Sequence, residues 1–278
     1  MTPAWFRTLF PTSTQGPLLM GIVNLTPDSF FDGGKHSALD QTLSHIHRLI
    51  QGGANIIDLG AESSRPGSEP VSEGDEKRRL EPILSVYHTH FKTPLSLDTV
   101  KPEVAEFGLH HGVSILNDIN GGQNPDMIQV AAKAQVPLVL MHKQGSPKTM
   151  QTQPTYTDVV AEVFDFLKTQ HATATAAGIQ KIIVDPGIGF GKTLEHNLAL
   201  LHHLRHFSRL GCPLLIGASQ KSFLGQLTGS EVQDRLPETL AAHLFAAQNG
   251  ADILRVHNVA AHRNALKVAQ ALSRPWPH

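Results

Sequence analysis

Eight short apolar runs recur along nearly the whole chain, and segments of helical periodicity separate them. The runs are LLMGIVNL (18–25), NIIDLGA (55–61), PLSLDT (94–99), SILNDIN (114–120), PLVLMH (137–142), KIIVDPG (181–187), PLLIGAS (213–219) and DILRVHN (252–258). Near-continuous hydrophobicity, rather than alternation, marks strands covered on both faces, as in a parallel sheet. Between the runs, Leu39, Leu43, Ile46 and Ile50 predict one apolar helix stripe. Val160, Phe164 and Leu167 predict a second, and Ala265, Val268 and Leu272 a third. Parallel neighbours need crossover helices, and eight such units close most naturally into a (β/α)8 TIM barrel. An open doubly wound sheet would ask for a G-x-G-x-x-G turn or a P-loop after the first strand, and GIVNLTPDSF is neither. The expectation is one α/β barrel domain over residues 1–278, with 1–17 as a short N-terminal extension. The 220–236 segment is long for a connection, and long barrel loops are often functional.

A formal net charge of −1 argues against a nucleic-acid partner, so any anionic ligand must meet a local cluster of cations. The single cysteine, Cys212, excludes an intrachain disulfide, suits a reducing compartment and reads as a core thiol. No stretch reaches the roughly 20 apolar residues of a membrane span, and the N-terminus lacks the apolar core of a secretion signal. A cytoplasmic location is expected.

The chemistry gathers where the strands end. Strand one ends in Asn24, strand three in Asp98, strand four in Asn117 and Asp118, and strand six in Asp185. Strand seven ends in Ser219 followed by Lys221, and strand eight in Arg255 and His257. Any one of these could merely cap a loop, and Asp58, inside an apolar strand, is expected only to satisfy backbone donors. Together they are harder to dismiss, because buried carboxylates demand partners, and barrel active sites are built from this rim. Asp98, Asn117 and Asp185 offer acceptors and an amide to a flat, donor-rich heterocycle. Lys221, Arg255 and His257, from strands seven and eight, form a corner suited to phosphate. TPDSFFDGG (26–34) and ESSRPGSEP (62–70) read as loops able to close over a ligand. DPGIGFGKT (185–193) reads as a glycine-rich turn without the spacing of a nucleotide fingerprint.

GIVNLTPDSFFDGG, IIDLGAESSRPG, SLDTVKPEV, ILNDINGG, LMHKQGSPKTMQ, DPGIGFGKT, GASQKSFLG and RVHNV, in this order, strongly resemble the dihydropteroate synthase family. The resemblance implies condensation of 6-hydroxymethyl-7,8-dihydropterin diphosphate with 4-aminobenzoate, giving 7,8-dihydropteroate and diphosphate with Mg2+ as cofactor. It places Asp98, Asn117, Asp185 and Lys221 on the pterin, with Met141 and Gly217 near its ring. Asn24 would help bind Mg2+, and Ser64, Arg255 and His257 would contact the diphosphate. Arg65, Pro66, Phe190, Ser219 and the 26–34 loop, with Asp28 and Phe30, would shape the aminobenzoate pocket where sulfonamides compete. A homodimer packed through barrel helices is also implied.

The chain departs from the family pattern at Ala61 and Ser64, where Gly and Thr are usual, at Gln220 for Arg, and at Asn258 for Asp. The last two would weaken anion binding and alter the setting of His257. Three other readings remain open at this point: a methyltetrahydrofolate-binding methyltransferase domain, a Schiff-base aldolase using Lys221, and a non-catalytic pterin-binding paralogue. His202, His203 and His206 are expected to lie on a solvated helix face rather than to hold zinc.

Overall fold

A computed structural model describes residues 2–11, 16–25, 34–63, 68–145, 150 and 154–273, the side chains of 34–37 excepted. Eight parallel strands form one sheet: β1 Leu18–Asn24, β2 Ile56–Gly60, β3 Leu95–Asp98, β4 Ile115–Asp118, β5 Leu138–Met141, β6 Ile182–Asp185, β7 Leu215–Ile216 and β8 Ile253–Val256. Their order, β6-β5-β4-β3-β2-β1-β8-β7, is closed by a bridge from Val184 to Leu214. The result is the expected (β/α)8 barrel. Each strand is shorter than its apolar run, and several end on the polar residues Asn24, Asp98, Asp118 and Asp185.

Register and side-chain alternation explain how one sequence serves two cores. One set of strand residues, including Leu19, Ile57, Leu97, Leu140, Val184 and Leu254, packs outward against the helices. The other set fills the barrel interior with a separate cluster of Leu18, Met20, Ile56, Ile115, Val139, Ile183, Leu215 and Ile253. Two residues further along each strand, the same inward parity reaches Asp58, Asn117, Met141, Asp185, Gly217 and Arg255. The polar mouth therefore stands directly on an apolar floor.

The N-terminal segment completes that floor. Residues Ala4–Leu9 form a short helix whose Phe6 is fully buried, and Phe10 is nearly so. Both rings pack into the interior cluster with Trp5 beside them. Phe6→Ala is therefore expected to lower stability by about 3–5 kcal/mol, the usual cost of an aromatic truncation in a core. Chemical denaturation measures it, and a loss under about 1 kcal/mol would show the helix to be dispensable.

Two of the three predicted helix stripes hold. Ile46 is buried in the helix Gly34–Gly52, and Leu167 in the helix Val159–Ala176, with Leu39, Leu43, Ile50, Val160 and Phe164 packed alongside. The third does not. In the last helix, Val259–Leu272, Val268 and Leu272 are 60% and 72% exposed, and the buried face carries Val259, His262 and Leu266. A histidine took the core position that an apolar count assigns elsewhere. The 220–236 segment is not an extended loop but holds the helix Ser222–Thr228 and a 3-10 turn, Val232–Asp234. No described helix is long and apolar enough to cross a membrane.

Candidate active site

At the mouth, one guanidinium organises three strands. Arg255 on β8 donates from Nε to Asp58 Oδ2 on β2 at 2.6 Å and from Nη2 to Asp98 Oδ2 on β3 at 2.8 Å. Asn117 on β4 donates to the same Asp58 oxygen at 3.2 Å. Asp58 is fully buried; two side-chain donors, not loop amides, meet its Oδ2, while Oδ1 has no hydrogen-bond partner. The sequence reading that gave Asp58 only backbone partners is corrected. An apolar context alone could not reveal that a residue 197 positions away supplies its counter-charge.

Burial dominates the titration of Asp98 and Asp185. It lifts Asp98 to about 7, with Arg255 pulling down and Asp58 and Glu76 pushing up. It lifts Asp185 to about 6 against the Gly187 N–H, which donates to Oδ1 at 2.7 Å, and against Lys221, Lys192 and Arg255. The mouth thus holds carboxyls poised to ionise fully once a donor-rich ligand meets them. Asp118 has the opposite parity and does different work. Its oxygens accept from the backbone N–H groups of Asn120 and Gly122, both at 2.8 Å, and shape the turn after β4.

The turn after β6 brings in Lys221. Gly189 has φ +83°, and a Cβ there would meet Lys221 Cδ at 2.9 Å. Glycine is what lets the lysine stem cross the loop and set its ammonium 3.8 Å above the Phe190 ring. Phe190 packs with Met141 and Met150 in a small apolar cluster, so Met141, Phe190, Asp185 and Lys221 share one side of the mouth. Gly217 leaves open contact against the Arg255 stem, where an added Cβ would lie 3.8 Å from Arg255 Cβ.

On the β7–β8 edge, Ser219 Oγ accepts from the His257 backbone N–H at 3.3 Å and stands 2.9 Å from His257 Nδ1. Asn24 and His257 line a cavity of about 610 Å³ together with Arg48 and His45 of the helix after β1. Asn258 does not act on the His257 ring through its side chain. Its Oδ1 accepts from Ala261 N–H at 3.0 Å and caps the last helix, a role Asp would fill equally. Gln220 has φ +58°, its N–H donates to Thr239 Oγ1 and its carbonyl accepts from Arg235.

Two buried clusters escape a reading of strand ends. Lys101 pairs with Glu62 and, at 2.6 Å, with the fully buried Glu76, tying the loops after β2 and β3 beside Asp98. Lys192, only 3% exposed, donates to the Phe190 carbonyl at 2.9 Å and lies 3.0 Å from His142 Nδ1. Burial holds Lys192 down to about 7 and His142 to about 3. Cys212 is half-buried, with its thiol pushed up to about 12 by burial. His206 packs on Phe164, while His202 and His203 are exposed. Among the described residues no group of three His, Cys, Asp or Glu could hold a metal. Asp28, Phe30, Ser64, Arg65 and Pro66 lie outside the described residues.

Comparison with known proteins bears on this arrangement. The family described as pterin binding enzyme matches residues 20–257. Dihydropteroate synthase of Escherichia coli K12 is 44% identical over 257 residues, which span 92% of this chain and 91% of that one. The Xanthomonas albilineans dihydropteroate synthase solved with 4-aminobenzoic acid superposes with a TM-score of 0.88 at 43% identity, covering 94% of each chain. The same enzyme solved with 7,8-dihydropteroate gives 0.84 at 42% identity, covering 94% of this chain and 95% of that one. The matched span runs from β1 into the loop after β8. The chain belongs to the dihydropteroate synthase family of pterin-binding transferases.

Proposed function

We propose that the protein joins 6-hydroxymethyl-7,8-dihydropterin diphosphate to 4-aminobenzoate, releasing diphosphate and 7,8-dihydropteroate. The observation that carries this is a mouth that sets an acceptor-rich slot beside a donor-rich corner, joined by the Arg255–Asp98 pair. Asp98, Asn117 and Asp185, over the Met141 and Phe190 side chains, make an acceptor-rich slot with an apolar wall, suited to a pterin. Arg255, His257 and Ser219, with Asn24 beside them, make a donor-rich corner suited to its diphosphate. Ser64, Arg65, Pro66, Asp28 and Phe30 are proposed to complete the aminobenzoate pocket.

In this reading Asp185 accepts two hydrogen bonds from the amino-pyrimidine edge, as a carboxylate does from a guanidinium. Lys221 sits over Phe190 and supplies positive charge beside the pterin. The C–O bond of the pterin methylene breaks first, and the leaving diphosphate takes the electron pair. Arg255 and His257 stabilise that charge as it develops. The electron-rich pterin spreads the resulting cation, and the neutral aromatic amine adds at the methylene carbon and loses a proton. No strong base is required.

Mg2+ fits as an ion that travels with the diphosphate. Asn24 offers one side-chain oxygen on the wall shared with His257, and magnesium bound through phosphates needs few protein ligands. When bound, it would neutralise charge on the leaving group. A cytoplasmic homodimer completes the proposal. Exposed Phe245, Val268 and Leu272 on the last two helices are apolar surface that a second copy could cover, and sedimentation tests it.

The raised carboxyls give the slot a signature. A pterin presents N–H donors, which bind the ionised carboxylates and so expel their protons. Affinity should therefore fall as pH drops through the free-enzyme values of about 7 for Asp98 and about 6 for Asp185. The limiting slope is about tenfold per pH unit for each group. Calorimetric titration with the pterin diphosphate between pH 5 and 8 reads it directly, and a flat profile would remove the carboxylates from the pterin contact. Rapid-quench detection of diphosphate release preceding amine attack tests the stepwise order; release strictly simultaneous with carbon–nitrogen bond formation would refute it.

A further inference from the structure

Behind the diphosphate corner lies a buried pair of histidines with no part in the chemistry above. His243 and His262 are 1% and 2% exposed and come from the last two helices, Leu236–Gln248 and Val259–Leu272. The Ala218 N–H donates to His243 Nε2 at 3.0 Å, His243 Nδ1 faces His262 Nε2 at 2.8 Å, and His262 Nδ1 lies 2.6 Å from the Asn258 carbonyl. The ends of this chain fix its protons. An amide N–H can only donate, so His243 Nε2 is bare. A carbonyl can only accept, so His262 Nδ1 carries a proton. The proton between the rings then belongs to His243 Nδ1. Both rings are neutral and every ring nitrogen is used, the condition under which a buried polar network specifies one geometry.

The attachment points give the pair its meaning. Ala218 precedes Ser219 and Asn258 follows His257, the two residues whose side chains meet at 2.9 Å. One turn earlier on the same helix, the buried Thr239 accepts the Gln220 N–H at 3.1 Å. The residues on both sides of Ser219 are thus tethered to one helix, and through His262 that helix is tethered to the residue after His257. Packing alone would be served by phenylalanine or leucine at these sites, without the cost of burying four ring nitrogens.

We propose that His243 and His262 are positioning residues that hold Ser219 and His257 in register for the diphosphate of the substrate. The inference rests on the functional reading above, which places the diphosphate at this corner. His243→Phe keeps the ring volume and removes the acceptor for Ala218 and the donor to His262. His243→Gln keeps an oxygen to accept and an amide to donate.

The test measures the Kd of two ligands by calorimetry, the pterin diphosphate and the same pterin lacking the diphosphate. His243→Phe should weaken the diphosphate ligand by about tenfold, roughly one well-made polar contact, and shift the plain pterin less than about twofold. His243→Gln should recover most of the loss. Equal weakening of both ligands, or of neither, in a protein that melts cooperatively would overturn the proposal, because a merely structural role moves stability and not the ratio of affinities. If His243→Phe does not fold, Thr239→Val carries the same test, since it frees only the Gln220 amide and leaves the ring pair whole. A wild-type protein that binds neither ligand would instead defeat the functional reading.

Discussion

Arg255→Ala is expected to lower folding stability by about 3–5 kcal/mol, the range found when one partner of a buried ion pair is removed. The size follows from what the guanidinium leaves behind. Asp58 is fully buried, with Arg255 Nε at 2.6 Å and Asn117 as its two side-chain donors. Asp98, already lifted to about 7 by burial, would lose the cation that restrains it. Adding Asp58→Asn removes the orphaned charge, so the double variant should regain about half of the lost stability or more. Activity should not return with it, because nothing in the pair replaces the guanidinium's positive charge beside the leaving group. Denaturant titration and steady-state kinetics on the three proteins separate these effects. A loss under about 1 kcal/mol for Arg255→Ala would show that the carboxylates find other partners.

Asp185→Asn should leave the fold intact and lower kcat/KM by on the order of 10³-fold. The exchange preserves volume at a site only 6% exposed. It turns one acceptor oxygen into a donor facing the ligand's own donors, and two charge-assisted hydrogen bonds at about 1.5–3 kcal/mol each are at stake. The Gly187 N–H can still be accepted by the remaining oxygen, so the turn after β6 should survive. The loss should appear mainly as weakened pterin binding, with the KM for 4-aminobenzoate little changed. Equal loss in both would mean that Asp185 organises the whole mouth rather than the pterin slot.

The barrel was legible because buried parallel strands write themselves as apolar runs, and eight of them fall in order with helical segments between. The rim was legible for a related reason. Asn24, Asp98, Asn117, Asp185, Arg255 and His257 are polar residues at the ends of apolar runs, which is a local signal. What local signal cannot show is pairing. Asp58 looked like an isolated strand carboxylate because its partner, Arg255, lies 197 residues away. Glu76 and Lys101 sit on a helix and a loop, where charged residues are ordinarily solvated, yet the barrel folds them together beside Asp98. The final helix misled for a different reason. Its apolar residues Val268 and Leu272 face outward, while His262 is buried because His243 and Asn258 satisfy both its nitrogens. Burial there is decided by hydrogen-bond partners rather than by hydrophobicity. The N-terminal helix gave no periodic signal over six residues, and its role as the barrel floor depends on the cavity that Phe6 and Phe10 fill.

The most direct test incubates the purified protein with 6-hydroxymethyl-7,8-dihydropterin diphosphate and Mg2+, with and without 4-aminobenzoate, and quantifies 7,8-dihydropteroate and diphosphate. The account predicts dihydropteroate formed in equal amount to diphosphate, only when the amine is present, and abolished by Lys221→Ala. Tight binding of the pterin diphosphate with no dihydropteroate under any of these conditions would contradict it.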